Sequence, residues 1–237
     1  MEASTYTTLS RQSALLKEIR VVANNVANAS TTGYRAEGLV FSEFVKSAPD
    51  HSSLSMTRAD VRNTSSAQGQ LTQTNGVFDL AIEGDGYFMV DTDRGPRLTR
   101  AGSFSPNSDG DLVNMDGHPV LDAGGARIFV PPDVANIFIA PDGTLSADGR
   151  SISQIGLFLP TEPARVVREG GVLFQAEGEV ETIDTGTVLQ GFLEGSNVNP
   201  MAQMVRLVEV QRAYEMGQSF LKSEDERIRN AVKTLVR

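Results

Sequence analysis

Phe78-Asp79-Leu80-Ala81-Ile82-Glu83-Gly84-Asp85-Gly86-Tyr87-Phe88-Met89-Val90 sets two short apolar runs on either side of a glycine-rich turn. Runs of four or five apolar or alternating residues are strand-length, too short for a helix. The same rhythm continues through Leu112-Val113, Pro119-Val120-Leu121, Ile128-Phe129-Val130, Ile137-Phe138-Ile139 and Ile155-Gly156-Leu157-Phe158-Leu159. Between these lie Asp109-Gly110, Asp116-Gly117, Gly124-Gly125, Asp142-Gly143 and Asp148-Gly149. Asp and Gly tolerate the positive φ that tight hairpins require. Residues 77–192 therefore read as an antiparallel β-domain.

Outward from this stretch the pattern changes on both sides. Residues 36–76 read as an extended polar linker with weak strands, with Thr57 to Val61 as a strand candidate. Residues 1–35 read as a helix followed by a turn. Leu9, Leu16, Ile19, Ala23 and Val26 recur at three- and four-residue spacing, and Leu15 and Val22 widen the stripe. No Gly or Pro interrupts this run before Asn28-Ala29-Ser30-Thr31-Thr32-Gly33, a set of helix-stopping residues.

Residues 193–237 carry a second, longer helix over about 200–235. Pro200 suits a first helical position, with Asn199 as its N-cap. Met204, Leu207, Gln211, Tyr214, Gln218, Leu221, Asp225, Ile228, Val232 and Leu235 step by three and four, which is the spacing of a heptad seam. Such a helix is about 50 Å long at 1.5 Å per residue, more than a domain of this size hides. Its partner is the first helix or another subunit. Gln211, Gln218 and Asp225 interrupt the seam at seven-residue spacing; they either face solvent or set register. The fold class is α+β, a central antiparallel β-domain with terminal helices forming a coiled-coil-like arm.

Composition removes several chemistries. The 237 residues contain no Cys, so disulfides, thiol nucleophiles and thiolate metal sites are excluded. His51 and His118 are too few for a three-histidine zinc centre. The net charge of −9 does not suit nucleic acid. Residues 36–200 hold 10 Lys/Arg against 23 Asp/Glu, whereas 1–35 and 201–237 are each +2, so two mildly basic ends flank an acidic middle. Residues 1–20 have no apolar run beyond Ala14-Leu15-Leu16, and no cleavable signal or membrane span is expected.

Candidate chemical sites read better as structure. Asn107-x-Asp109-Gly110-Asp111 is similar to the start of a calcium loop, but Leu112 and His118 stand where the loop needs Gly and Glu. Gly84-Asp85-Gly86 lacks a phosphate-binding Lys and a following helix. Glu177, Glu179 and Glu181 share one strand face instead of converging across a cleft. His118 beside Asp116 could act as a general base, although no nucleophile motif accompanies it. A β-domain hydrolase using His118 and a fibre or adhesin-like protein remain the alternatives from other classes.

Ala23-Asn24-Asn25-Val26-Ala27-Asn28-Ala29-Ser30-Thr31-Thr32-Gly33-Tyr34-Arg35 resembles the N-terminal signature of flagellar basal-body rod, hook and hook-associated proteins. Ala81-Ile82-Glu83-Gly84-Asp85-Gly86-Tyr87-Phe88, Leu98-Thr99-Arg100-Ala101-Gly102-Ser103-Phe104 and Asp109-Gly110-Asp111-Leu112-Val113 are similar to the next blocks. Gln190-Gly191-Phe192-Leu193-Glu194-Gly195-Ser196-Asn197-Val198-Asn199-Pro200 and Val210-Gln211-Arg212-Ala213-Tyr214-Glu215 complete the series in order. Size and the phrase Gly117-His118-Pro119-Val120-Leu121-Asp122-Ala123-Gly124-Gly125 look most like proximal-rod members, with distal-rod and hook-type members next.

The resemblance implies a non-enzymatic axial subunit of the periplasmic rod, without catalytic residues, metal or cofactor. Such a subunit leaves the cell unfolded through the flagellar type III export apparatus, with no signal cleavage and no membrane insertion. It then assembles with other rod proteins and copies of itself, and transmits motor torque toward the hook. The assembly interface expected on this basis comprises Leu9, Leu16, Ile19, Val22 and Val26 of the first helix, with Asn24, Asn25 and Asn28 of the signature. The second helix contributes Met204, Leu207, Gln211, Tyr214, Leu221, Ile228, Val232 and Leu235.

Overall fold

The computed structural model describes residues 2–48, 51–134, 136–162 and 166–235, and their side chains apart from those of 2–6, 41–62 and 235. By compactness the chain forms two units. One comprises Met1–Ala27, Ala36–Ser65 and Asn199–Arg237, and the other Asn28–Arg35 and Ser66–Val198.

The first unit holds both helices, α1 (Glu2–Ala27) and α2 (Pro200–Leu235), with strands β1 (Glu37–Ala48) and β2 (His51–Thr64). α2 starts where Asn199 and Pro200 predict. The Asn199 Oδ1 accepts the Ala202 N–H at 3.1 Å, capping a free donor of the first turn. β1 and β2 pair antiparallel from Glu37↔Thr64 to Ala48↔His51. Here the structure differs from the sequence expectation of an extended linker with weak strands. A hairpin ladder with register shifts at Val40/Phe41 and Lys46/Ala48 pairs an apolar-rich β1 with a mostly polar β2 and satisfies the backbone of both.

α1 and α2 run antiparallel. Gln12 meets Tyr214, Glu18 meets Arg206 and Asn25 meets Gln203, so rising numbers on one helix face falling numbers on the other. The covered face of α2 comprises Gln203, Leu207, Val210, Tyr214, Gly217, Leu221 and Glu224. This α1-facing side overlaps the expected seam but is turned from it by about half a residue. Leu207, Tyr214 and Leu221 belong to both sets, but Gln203, Val210, Gly217 and Glu224 replace Met204, Gln211, Gln218 and Asp225. Both series alternate in steps of three and four, so periodicity alone does not separate them. On α1 the buried residues are Gln12, Ala14, Glu18, Val21, Val22 and Asn25, while Leu9 and Leu16 face away, half and two-fifths exposed at 50% and 39%.

The second unit is all β, and every pairing between its strands is antiparallel. Its largest sheet orders Val166–Gly170, Leu173–Ala176, Gly95–Thr99 and Phe88–Thr92. A second joins Arg150–Gln154, Thr144–Ala147 and Ile137–Ile139. The margins of the unit close on each other: Leu80–Glu83 pairs with Thr187–Gln190, and Leu71–Gln73 with Phe192–Glu194. Leu80, Ile82, Phe88, Val90, Leu145 and Val188 form the centre of its core.

Three successive turns here are built alike. Asn107 Oδ1 accepts the N–H groups of Asp109 and Asp111, Asn114 Oδ1 those of Asp116 and His118, and Asp122 Oδ1 those of Gly124 and Ala126. Each has a glycine three residues on, with φ of +87° at Gly110, +83° at Gly117 and +81° at Gly125. Side-chain capping plus a left-handed glycine makes a tight hairpin turn. After each turn comes a fully buried residue, Leu112, Val120 or Ile128, and these three bond cyclically: Leu112 N–H to Ile128 O, Val120 N–H to Leu112 O, and Ile128 N–H to Val120 O. The calcium-like loop is the first of these turns, and no group of potential metal ligands occurs among the described residues.

Candidate assembly surfaces

In the helical unit the expected interface residues divide into three groups. Val22 and Asn25 are buried, Ile19, Val26, Leu207, Tyr214 and Leu221 are half-buried, and Leu9, Leu16, Asn24, Met204, Gln211, Ile228 and Val232 are exposed. The side chain of Leu235 lies outside the described residues. Asn28 sits in the β unit, where its backbone and side-chain oxygens accept the N–H and hydroxyl of Thr31, each at 3.1 Å.

Asn25 is a structural bolt. Its Nδ2 donates to Glu37 O at 2.8 Å while its Oδ1 accepts the Glu37 N–H at 3.0 Å, so the amide copies a strand partner for the start of β1. A further bond reaches Gln203 Oε1 at 3.3 Å. Glu18 is buried on α1 and binds Arg206 Nη2 at 2.6 Å; the hydrogen bond holds the Arg206 guanidinium above its ordinary range.

Besides Met216 and Phe220, two apolar surfaces of α2 stay uncovered among the described residues of the unit. Met201, Met204, Val205 and Val208, spaced i, i+3, i+4 and i+7, lie away from the α1-facing residues. The other is an overhang. α2 has 36 residues and α1 has 26, and the two are level at the Ala27/Asn199 end. The last ten residues of α2, about 15 Å at 1.5 Å per residue, therefore extend past the start of α1. Ile228 and Val232 continue the covered face of Leu221 and Glu224 onto this overhang and are about half exposed.

In the β unit three charged side chains are buried together. Arg35 Nη2 lies 2.9 Å from Glu194 Oε1, and Arg100 Nη1 lies 3.1 Å from Glu194 Oε2. The Gly69 N–H adds a bond to Glu194 Oε1 at 2.9 Å. The guanidiniums also donate to carbonyls, Arg35 to Ser66 and Ala67, Arg100 to Ile82 and Gly84. Two cations against one carboxylate leave an excess positive charge, and burial pulls the Arg100 guanidinium below its ordinary range. The Tyr87 face, 5.3 Å from Arg100, offsets part of that. A further arginine, Arg168, lies 4.2 Å over Tyr34 and 4.7 Å over Phe174. The backbone follows the same path, with Gly33 N–H on Glu194 O at 2.7 Å and Asn197 N–H on Tyr34 O at 3.2 Å.

An open cleft of about 500 Å³ lies beside His118, lined also by Thr92, Arg94, Arg97, Asp116 and Glu169. Glu169 bonds both arginines, and those bonds, Arg97 first, pull its carboxyl down to about 2. The Thr92 hydroxyl donates to Gly95 O at 2.7 Å, away from any base. Cleft and histidine are present, but the nucleophile–base pair that the hydrolase reading needs does not occur among the described lining residues.

Three family models match the chain. "Flagella basal body rod protein" covers residues 6–35, "Flagellar hook protein FlgE/F/G D1 domain" 81–147 and "Flagellar basal body rod FlgEFG protein C-terminal" 189–234. The chain is 39% identical to the flagellar basal-body rod protein FlgF of Mesorhizobium japonicum, over 99% of this chain and 98% of that one. It is 37% identical to FlgF of Caulobacter vibrioides at the same coverage. Identity to the rod protein FlgG of Bacillus subtilis is 28%, over 98% of each chain.

The chain belongs to the flagellar basal-body rod protein family. It is a structural rod subunit, and its relatives carry rod-protein names. In this rod protein each matched segment supplies one member of the buried triad: Arg35 from the first, Arg100 from the second and Glu194 from the third. The family-like blocks thus meet inside the β unit as a clasp. Sequence reading named those blocks but not the triad. The available signal was a lone charge inside each otherwise apolar or small-residue phrase, Tyr34-Arg35, Leu98-Thr99-Arg100-Ala101 and Phe192-Leu193-Glu194.

Proposed function

We propose that this rod protein is an axial subunit of the proximal rod, which joins its neighbours through the terminal helices and carries motor torque toward the hook. The observation that carries this reading is the α2 overhang. Ile228 and Val232 extend the α1-facing side of α2 beyond the end of its partner, leaving apolar surface that a single chain does not cover. The occupants are other rod proteins and further copies of this chain, and the Met201–Val208 stripe and Leu9 and Leu16 supply additional contact. Burial at about 25 cal/mol per Å² must offset roughly 1–2 kcal/mol of ordering entropy per residue. A growing tip that offers several contacts at once meets that demand better than a collision of two monomers. The higher identity to FlgF than to the Bacillus FlgG favours the proximal position over the distal or hook-type alternative. Export unfolded through the type III apparatus and a periplasmic location follow from the same reading.

The test is an Ile228→Asp, Val232→Asp double variant. Both side chains are exposed, so the purified protein should fold as the parent does, while cells carrying it lose rods and motility. Swimming cells with normal basal bodies would overturn the assembly reading. Electron microscopy of basal bodies from a deletion strain decides the position, with truncation at the inner end of the rod expected.

A further inference from the structure

The face between α1 and α2 repeats every seven residues, and such a repeat does not select a single alignment. Leu207, Tyr214 and Leu221 recur at that interval on α2, and Ala14 with Val21 and Glu18 with Asn25 on α1. Sliding one helix by a heptad exchanges one covered side chain for a similar one. The polar residues expected to set register, Gln211, Gln218 and Asp225, are exposed; Gln218 bonds its own helix at the Tyr214 hydroxyl and Asp225 pairs with Arg229.

A different polar residue is buried between the helices. Gln12 is 7% exposed, and its Nε2 donates to the backbone carbonyl of Tyr214 at 2.9 Å. The amide rests against Gly217, where an added Cβ would stand 2.0 Å from Nε2. Gly217 is the one glycine within Pro200–Leu235, and Glu2–Ala27 contains none. We infer that Gln12 seated in the Gly217 notch is the register-determining contact of the helix pair.

A slip of seven residues faces Gln12 with Val210 or Glu224, where a β-carbon fills the space the amide needs. Its donor then lies between the helices without the Tyr214 carbonyl. Gln12 Oε1 already has no partner among the described residues, so the misaligned amide would carry a second unmet group. The Glu18–Arg206 and Asn25–Gln203 contacts are less selective: Arg206 is half exposed and its long side chain follows a shifted carboxylate, and the Asn25 amide is already matched by the Glu37 backbone without Gln203. The inference rests on the assembly reading in one respect: register decides how much of α2 overhangs, and so whether Ile228 and Val232 are presented to a neighbour.

Because the chain has no cysteine, nitroxides attach only where Cys is introduced. Ala23→Cys and Ser219→Cys, both at exposed positions, label the full chain on the two helices. In the observed alignment these sites lie about 20 Å apart along the axis, and a heptad slip changes that by about 10 Å. Pulsed electron paramagnetic resonance should give one narrow distance for the parent. Gln12→Leu or Gly217→Leu should add a population displaced by about 10 Å, or a broad spread. A single unchanged distance in Gln12→Leu overturns the inference, as does a parent distribution that is already broad. If Gln12→Leu loses helical circular dichroism, Gln12→Met is read in its place, and loss of helix there too overturns the inference, since the amide then supplies stability and not alignment. Motility of the Ile228→Asp, Val232→Asp strain judges the assembly reading separately from these distances.

Discussion

Arg35 and Glu194 meet at 2.9 Å with side-chain exposures of 2% and 1%, although one precedes the main span of the β unit and the other closes it. A carboxylate this deeply buried is held by charge: besides Arg35 it accepts Arg100 and the Gly69 N–H. Glu194→Ala would strand two buried guanidiniums. Removing one partner of a buried pair costs about 3–5 kcal/mol, because the remaining charge is left in a poorly polarisable interior. Urea unfolding of the β unit should register that loss. A midpoint equal to the parent's would mean that the clasp contributes nothing.

Asn25 secures the entry of β1 through two hydrogen bonds with the backbone of a single residue, Glu37. Asn25→Leu fits a similar volume but leaves a buried N–H and C=O unmatched. Each unmet group costs about 1–3 kcal/mol. Amide hydrogen exchange should accelerate at Glu37 while Leu98 in the β unit keeps its protection. Unchanged exchange at Glu37 would refute the bolt.

These contacts explain what a reader of the sequence could and could not find. The strands of the β unit were legible because Asp-Gly turns are local devices: Asn107, Asn114 and Asp122 each cap their own loop. Helix extents were legible for the same reason, since Asn199 caps its own first turn. The face of α2 was not, because two faces that share Leu207, Tyr214 and Leu221 both alternate in steps of three and four. What fixes the face is a missing Cβ at Gly217 and an amide 205 positions earlier at Gln12. The β1–β2 hairpin escaped because the apolar residues of β1, Leu39, Val40, Phe41, Phe44 and Val45, do not alternate strictly and its partner β2 is mostly polar. The clasp escaped because three charges of distant sequence position become neighbours only after folding.

Gly33 tests whether a signature glycine is required by conformation or by space. Its φ is +69°, and a Cβ there would lie 2.2 Å from the Ala101 backbone nitrogen. Gly117 has a similar φ of +83° but nothing within 4 Å of the added atom. Gly117→Ala should therefore cost only the left-handed penalty, about 1–2 kcal/mol. Gly33→Ala must in addition displace backbone and should lower the melting temperature further. Equal shifts in the two variants would leave close packing without a role at Gly33.

Glu169 gives the β unit a pH-dependent element with a defined sign. Bonds from Arg97, then Arg94, lower its carboxyl from an ordinary 4.5 to about 2. A group with a depressed folded value stabilises the fold above its unfolded value, and that contribution fades as pH falls from 4.5 toward 2. Solvent reaches this pair, since the Glu169 side chain is 24% exposed and Arg94 is 75% exposed, so the effect is screened and salt-sensitive. Glu169→Gln removes the charge at every pH. The difference in melting temperature between parent and variant should be constant above about pH 5.5, shrink below 4.5 and nearly vanish near 2. Asp142, whose carboxyl is also lowered, chiefly by the Thr144 backbone N–H, is common to both proteins and cancels in the difference. A difference that did not change between pH 7 and pH 2.5 would show that the arginines bind Glu169 without favouring its charged form.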